Sequence, residues 1–151
     1  MAASREAGFT LLELLIVVAI LGIVVNISIP VMMNAQTKAA AARVLADVDM
    51  IHDAVLTYRL ENGSYPRTAG WGRVPPGLEQ HLPPGFSFLN GDVRYRYQLR
   101  RNYKRIGVDG GGRNSAGRDI VARVGDMFIG QKIVTARRAW LWLPSPGGRV
   151  E

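Results

Sequence analysis

The sequence predicts an α+β protein in which a long N-terminal helix packs on a small antiparallel β-sheet. Three observations indicate this: an almost unbroken apolar run from Phe9 to Ile29, an amphipathic stripe after it, and alternating apolar and polar residues in the C-terminal half. The apolar run has about 20 residues, the length that a helix needs to cross the hydrocarbon core of a bilayer. The first half of the helix is therefore expected to span a membrane.

Beyond Pro30, apolar residues recur at spacings of three and four, as in a helix with one buried face. These residues are Val44, Val48, Ile51, Val55 and Tyr58, and charged residues such as Asp47 and Arg59 mostly fill the positions between them. Gly63 can adopt the left-handed conformation that ends a helix. One helix is predicted from about Phe9 to Glu61, bent or loosened at Pro30, whose nitrogen has no hydrogen to donate.

Four candidate strands follow a segment rich in proline and glycine at residues 63–88. In the first, Val93, Tyr95, Tyr97 and Leu99 alternate with polar residues, which predicts one apolar and one basic face. The others are predicted at residues 119–124, 127–135 and 139–143, with Trp140 and Trp142 on one face of the last. A short helical turn is predicted at residues 77–82. An antiparallel meander over the helix stripe would bury the apolar faces of both.

The composition excludes some classes of function. The chain has 151 residues, a formal net charge of +7 and no cysteine. The basic excess favours contact with acidic surfaces, lipid headgroups or nucleic acid. The lack of cysteine excludes thiol nucleophiles, thiolate metal sites and disulfides. No Ser/His/Asp or paired-carboxylate arrangement can be argued from spacing, so the chain is not expected to be an enzyme.

Glu13 is the single charged residue in the apolar run. A charge at membrane depth costs on the order of 3 kcal/mol, so Glu13 needs a partner. It ends the hexapeptide Gly8-Phe9-Thr10-Leu11-Leu12-Glu13, which resembles the cleavage and methylation motif of type IV pilins and type II secretion pseudopilins. The resemblance implies cleavage after Gly8 and methylation of Phe9. It also implies an assembly role for Glu13, which could pair with the new amine of Phe9 on its own chain or on a neighbour.

The resemblance also implies an organisation and a set of partners. It is nearest to the major pseudopilins, and it places Gly22 and Pro30 where helices of that family are commonly distorted. The expected parts are a leader at residues 1–8, a membrane or filament-core helix at 9–30, an amphipathic helix at 31–62, a globular head at 63–143 and a tail at 144–151. The implied partners are a homo-oligomeric or mixed pilin filament, a prepilin peptidase and methylase, and an inner-membrane assembly platform.

The implied location is the bacterial inner membrane, crossed once, with the head in the periplasm or finally in an extracellular filament. The expected function is that of a structural pilus or pseudopilus subunit. Two alternatives stay open. One is a minor pilin for DNA uptake or adhesion, and the other is a plain membrane-anchored periplasmic domain, which would not be cleaved at Gly8.

The densest basic stretch mixes cations with aromatic residues. Its cations are Arg94, Arg96, Arg100, Arg101, Lys104 and Arg105, interleaved with Tyr95, Tyr97 and Tyr103. Nucleic-acid-binding proteins use this mixture, cations for phosphates and rings for stacking. The alternation directs the tyrosines inward, however, which favours a solvated strand face. Contacts with the acidic helix face of another subunit, with lipid headgroups or with DNA are the alternatives.

A glycine-rich segment follows at residues 107–120. It lacks the Gly-Lys-Ser/Thr of a phosphate-binding loop, and no strong helix is predicted after it. Asp109-Gly110 and Asp119-Ile120 resemble the calcium loop of major pseudopilins, but Arg118 replaces an acidic residue. Because calcium takes six to eight oxygen ligands, a plain flexible loop is favoured over a calcium site formed by Asp109, Asn114 and Asp119. No other cofactor is expected.

Overall fold

The protein consists of one long helix, a five-stranded antiparallel sheet and a second, shorter helix. The computed structural model describes residues 9–100, 103–111 and 115–143. The elements are α1 (Leu11–Asn62), a 3-10 turn (Glu79–His81), β1 (Leu89–Asn90), β2 (Val93–Arg100), β3 (Tyr103–Asp109), α2 (Ala116–Met127), β4 (Lys132–Val134) and β5 (Arg138–Trp142). The predicted α+β class is confirmed.

Helix α1 matches its predicted limits and continues through Pro30. Gly63 follows it with φ 67°, the left-handed conformation expected at a helix end. The leader at residues 1–8, with Gly8, and the tail at 144–151 lie outside the described residues. By its contacts the chain divides into two compact units, one up to Gln36 and one from Thr37 onward.

The second unit contains the hydrophobic core. Its sheet has the order β1-β2-β3-β5-β4, with every pair antiparallel. In register, Tyr95 is opposite Val108, and Val108 is opposite Ala139 on the inner face. That face is buried with the α1 stripe (Val44, Val48, Ile51, Val55) and with the apolar side of α2 (Ile120, Val121, Val124). The outer face of the sheet carries neither helix.

Two strand predictions are wrong in part. Residues 119–124 belong to α2, whose buried residues Gly117, Ile120, Val121 and Val124 recur at helical spacings of three and four rather than two. Within residues 127–135 only Lys132–Val134 form a strand. Strand β3 was not predicted, because Lys104 and Arg105 hide its alternation. The fourth candidate is confirmed as β5, and the predicted helical turn as the 3-10 turn.

Asp47 also differs from its prediction as one of the charges between the core residues. It is buried in the core stripe of α1, where its Oδ2 accepts hydrogen bonds from Tyr95 Oη at 2.6 Å and Asn90 Nδ2 at 3.0 Å. A buried carboxylate needs such donors, because leaving it unpaired costs much free energy. The hydrogen bond between Asp47 and Tyr95 thereby links α1 to β2.

Candidate functional site

The first turn of α1 is capped by Thr10. The backbone N–H of Glu13 donates to Thr10 Oγ1 at 3.2 Å, and the N–H of Leu14 donates to the Thr10 carbonyl, also at 3.2 Å. The bond from the Glu13 N–H to Thr10 Oγ1 is one half of a capping box. In this Thr-x-x-Glu pattern the glutamate side chain can accept a hydrogen bond from the backbone N–H of the cap residue. Sequence reasoning missed this role of Glu13, although the spacing from Thr10 signals it. The carboxylate also lies where the positive end of the helix favours an anion.

The unit that ends at Gln36 presents an apolar surface that is exposed along all of its described residues. Every described residue from Phe9 to Gln36 is exposed, and Phe9 retains 77% of its accessible surface. α1 is long and apolar enough to cross a membrane, by its length and composition. A surface of this extent is covered by lipid or by other apolar chains, because exposure to water is unfavourable.

Gly22 and Pro30 bracket two polar side chains of this apolar unit, Asn26 and Ser28. Asn26 Nδ2 donates to the Gly22 carbonyl at 2.7 Å, and Ser28 Oγ donates to the Val24 carbonyl at 2.8 Å. Such bonds to the carbonyl four residues earlier satisfy polar groups locally and often bend helices. A Cβ on Gly22 would meet no atom within 4 Å, so packing inside the chain does not require this glycine. The helix distortion at Gly22 and Pro30 stays a prediction.

The basic stretch divides between the two faces of the sheet. Tyr95 and Tyr97 are fully buried on the inner face, as predicted, while Arg94, Arg96 and Arg105 are half-buried and Arg100 is exposed. Lys104 does not join these arginines. It is buried on the inner face, where Nζ donates to Tyr65 Oη at 2.7 Å. Its inclusion in a basic contact face is wrong, because β3 alternates and sends neighbouring residues to opposite faces. Arg101 lies outside the described residues.

Asp109 joins three arginines. Its carboxylate is fully buried and lies 2.5 Å from Arg94 Nη2, 3.3 Å from Arg137 Nε and 3.6 Å from Arg138 Nε. Charge-assisted pairs of this kind stabilise a carboxylate that water cannot reach. Sequence reasoning missed Arg137, which directly precedes the last strand, and Arg138, which begins it.

Of the two other residues in the calcium prediction, only Asp119 is among the described residues. Asp119 is exposed in the first turn of α2, and Asn114 lies outside the described residues. Among the residues with described positions, no group of three or more His, Cys, Asp or Glu could hold a metal ion. The calcium site stays a prediction, and it requires the ion to compete with three guanidinium groups for Asp109.

Tryptophan rings complete the outer face of the sheet. Trp71 and Trp140 lie 5.2 Å apart between ring centroids, and a Cβ on Gly107 would approach both rings to 2.7 Å. Glycine at this strand position therefore leaves the space that the two rings occupy. Arg105 stacks on Trp140 with its Cζ 3.9 Å from the ring centroid. The tryptophans and arginines thus form one layer on the side of the sheet opposite the helices.

Comparison with known proteins shows that the N-terminal segment is similar to one protein family. Residues 3–25 match the family model described as "Prokaryotic N-terminal methylation motif". The chain thus combines an N-terminal segment similar to this motif with a capped apolar helix and a small antiparallel sheet, an α+β architecture consistent with a pilin-like fold.

The chain is also similar to proteins named "Type II secretion system core protein G". It is 38% identical over 64 residues to the protein of Aeromonas hydrophila (42% of this chain, 45% of the relative) and 38% identical over 64 residues to that of Klebsiella pneumoniae (42% and 46%). It is 33% identical over 67 residues to that of Escherichia coli strain K12 (44% and 46%). The chain spans less than half the length of these curated relatives. No solved structure matches it.

Proposed function

We propose that this chain is a structural subunit of a pseudopilus or pilus filament. It enters the inner membrane as a precursor, is cleaved after Gly8, is methylated on Phe9 and assembles through α1. The single observation that carries this proposal is the apolar unit, whose described residues are all exposed, with one carboxylate in its first turn inside the segment that matches the methylation motif. The similarity to type II secretion core protein G supports the secretion-type filament.

The chemistry of Glu13 fits the proposed processing. Cleavage after Gly8 creates a positively charged amine on Phe9, four residues before Glu13. Four residues correspond to about 6 Å along a helix, so the carboxylate can pair with the amine of its own chain or of an incoming subunit. An apolar surrounding strengthens this attraction and makes an unpaired charge costly. The pair would fix the register in which an incoming subunit joins the filament.

The apolar surface of residues 9–30 has a role both before assembly, in the membrane, and after assembly, in the filament. Before assembly, acyl chains cover residues 9–30, and the head is held on the periplasmic side. In the filament, the same side chains pack against those of neighbouring subunits, which replace lipid. Peptidase, methylase and an assembly platform in the membrane are the partners that this cycle needs.

The first experiment determines the N-terminus of the membrane-extracted chain by intact-mass and peptide mass spectrometry. The expected species begins at N-methylated Phe9. A chain that still begins at Met1, in cells whose prepilin peptidase is active, would contradict the proposal and leave a plain anchored domain.

A pair of Glu13 variants separates its charge from its capping role. Glutamine can complete a capping box as glutamate does, but it carries no charge. We therefore expect both Glu13→Gln and Glu13→Ala to be processed yet lost from sheared filaments. If Glu13→Gln assembles like the wild type and only Glu13→Ala fails, the capping box explains Glu13 and the proposed charge pair is wrong.

A further inference from the structure

The outer face of the sheet has a composition that the filament role does not explain. We name the arginine–tryptophan face by its members, which are Arg94, Arg96, Arg100, Arg105, Arg137, Arg138, Trp71, Trp140, Trp142 and Tyr103. The strand register aligns them in rows: Arg94 with Asp109 and Arg138, Arg96 with Gly107 and Trp140, and Gln98 with Arg105 and Trp142. Residues aligned in this way project from the same side of a sheet.

The charge on this face is strongly unbalanced. Among the described residues in these strand rows and beside them, six arginines are set against the carboxylate of Asp109, which is fully buried and already pairs with three of them. The contacts described for Arg96 and Arg105 involve uncharged groups: Arg96 Nε donates to the Ala69 carbonyl at 3.1 Å, and Arg105 Nε donates to Gln98 Oε1 at 2.7 Å. Both bonds use Nε, and within the described part of the chain the terminal nitrogens of Arg96 and Arg105 have no hydrogen-bond partner.

Aromatic rings hold the guanidinium groups in place. Arg105 lies 3.9 Å from the centroid of Trp140, while Arg138 and Arg96 lie 5.2 and 5.9 Å from that of Trp71. Cation–π contacts of this kind preserve the charge and restrict the side chain. All three tryptophans of the chain are on this face and are only partly buried.

We propose that the arginine–tryptophan face binds the phosphates of anionic phospholipid headgroups. Tryptophan and tyrosine are enriched at membrane interfaces, and arginines near an anionic surface each add roughly 1 kcal/mol of attraction. The proposal rests on the membrane anchoring in the proposed function but not on filament assembly. The anchor keeps the head beside a bilayer, which supplies the phosphates at high local concentration.

The packing of the rings favours lipid over single-stranded nucleic acid. A nucleic-acid platform offers open ring faces on which bases stack. Here Trp71 and Trp140 cover each other, and Arg105 covers Trp140, so the rings are engaged within the face. The arginines remain the groups that meet the ligand, and phosphate is the anion that guanidinium groups bind best.

The test uses the full chain in vesicles of phosphatidylcholine, with or without phosphatidylglycerol. Because every tryptophan lies on the arginine–tryptophan face, intrinsic fluorescence reports on this face alone. We expect a blue shift and quenching by brominated lipid only when phosphatidylglycerol is present. Salt near 1 M, where the Debye length is about 3 Å, should reverse both. Equal signals in the two kinds of vesicle would overturn the proposal.

Charge-matched variants test the residues. Arg96→Gln with Arg105→Gln should weaken the phosphatidylglycerol-dependent quenching by roughly tenfold or more. Arg43→Gln with Arg118→Gln removes the same charge from exposed positions on α1 and α2 and should change it little. Equal effects of the two pairs would overturn the assignment to this face. The salt reversal in the wild-type chain tests the proposal even if the first pair fails to fold.

The remaining outcomes identify another ligand. A signal that depends on the protein-to-lipid ratio would indicate a second copy of the chain, and one produced by a single-stranded oligonucleotide but not by anionic vesicles would indicate nucleic acid. Either result overturns the lipid proposal. An unprocessed chain still carries its anchor, so failure of cleavage at Gly8 leaves this test intact. Loss of the lipid signal, in turn, leaves filament assembly unaffected.

Discussion

Two tyrosines lie two residues apart on the same face of β2 and differ in their hydrogen bonding. Tyr95 and Tyr97 are both fully buried on the inner face. Tyr95 Oη donates to Asp47, whereas Tyr97 Oη has no hydrogen-bond partner within the described part of the chain. A buried polar group without a partner costs about 1–3 kcal/mol, and a bond to a charged group contributes a similar amount.

Phenylalanine at these two positions should therefore have opposite effects on stability. Tyr97→Phe removes an unsatisfied hydroxyl and should raise the free energy of unfolding by about 1 kcal/mol. Tyr95→Phe removes a donor from buried Asp47 and should lower it by about 2 kcal/mol. Urea unfolding of the full chain in detergent, followed by tryptophan fluorescence, measures both. Equal losses in the two variants would show that Tyr97 has a partner.

The raised pKa values of these two tyrosines predict that the protein loses stability at alkaline pH. Burial is the main cause that raises the pKa of both, and for Tyr95 the hydrogen bond to Asp47 raises the pKa further. The folded state thus keeps protons that the unfolded state releases above about pH 10. Stability is unaffected below that pH and falls above it, by up to about 1.4 kcal/mol per pH unit for each tyrosine.

The Tyr97→Phe variant provides the control for this pH dependence. Its free energy of unfolding should fall about half as steeply between pH 10 and 11, since one of the two tyrosines no longer titrates. A slope equal to that of the wild type would mean that Tyr97 does not contribute. The comparison uses the same fluorescence assay at each pH.

For individual residues, the sequence predicted the sheet face on which a side chain lies better than it predicted the hydrogen-bond partner of that side chain. Alternation on β2 placed Tyr95 and Tyr97 inside, since period two fixes the face of each residue. It could not pair Tyr95 with Asp47, because the two are far apart in the chain and a lone aspartate resembles a solvated charge. Lys104 was assigned to the wrong face because its orientation depends on β3, which was not predicted.

At the scale of secondary-structure elements, Asp109 ties three parts of the sheet together. It ends β3, pairs with Arg94 of β2, and holds Arg137 and Arg138 at the start of β5. Removing this buried carboxylate breaks charge-assisted pairs with three arginines that are themselves partly solvated. The loss of one such bond costs about 1.5–3 kcal/mol, a large fraction of the stability of a small domain.

We therefore expect Asp109→Asn to be strongly destabilised, whereas Asp119→Asn, at an exposed site on α2, should unfold like the wild type. We also expect millimolar calcium to leave the melting temperature of the wild type unchanged, because the arginines already neutralise Asp109. Thermal unfolding with calcium and with a chelator measures both. A calcium-dependent rise in melting temperature that Asp119→Asn abolishes would establish the calcium site instead.

The elements themselves were predicted unevenly, for a physical reason. α1 carries a stripe of many turns, so its period is unambiguous. In α2 the apolar residues Ile120, Val121 and Val124 span little more than one turn, too short to distinguish a helix from a strand by period alone. The packing of α2 depends on tertiary contacts that the sequence does not show. One of them is at Gly125, which lies against Val134 of β4, where a Cβ would approach to 2.7 Å.

At the scale of the whole molecule, α1 contributes to two compact units with different surroundings. Up to Gln36 all its described side chains are exposed, and from Ala41 onward one face is buried in the core of the second unit. Sequence reasoning predicted this change from the end of the apolar run. The compact unit begins at Thr37, because its core needs the helix stripe as its second layer.

The second unit should therefore fold without the first, provided that it keeps its part of α1. A fragment that begins at Thr37 retains every residue of the core cluster, and we expect it to be soluble without detergent and to unfold cooperatively. A fragment that begins at Ile51 loses Ala41, Val44 and Val48 together with the Asp47 bond to Tyr95. Each large apolar side chain removed from a core costs about 1.5–3 kcal/mol, so this fragment should remain unfolded. Circular dichroism melts of the two fragments make the comparison. If the shorter fragment also folded, the sheet and α2 would form a core without the helix stripe, and the layer argument would be wrong.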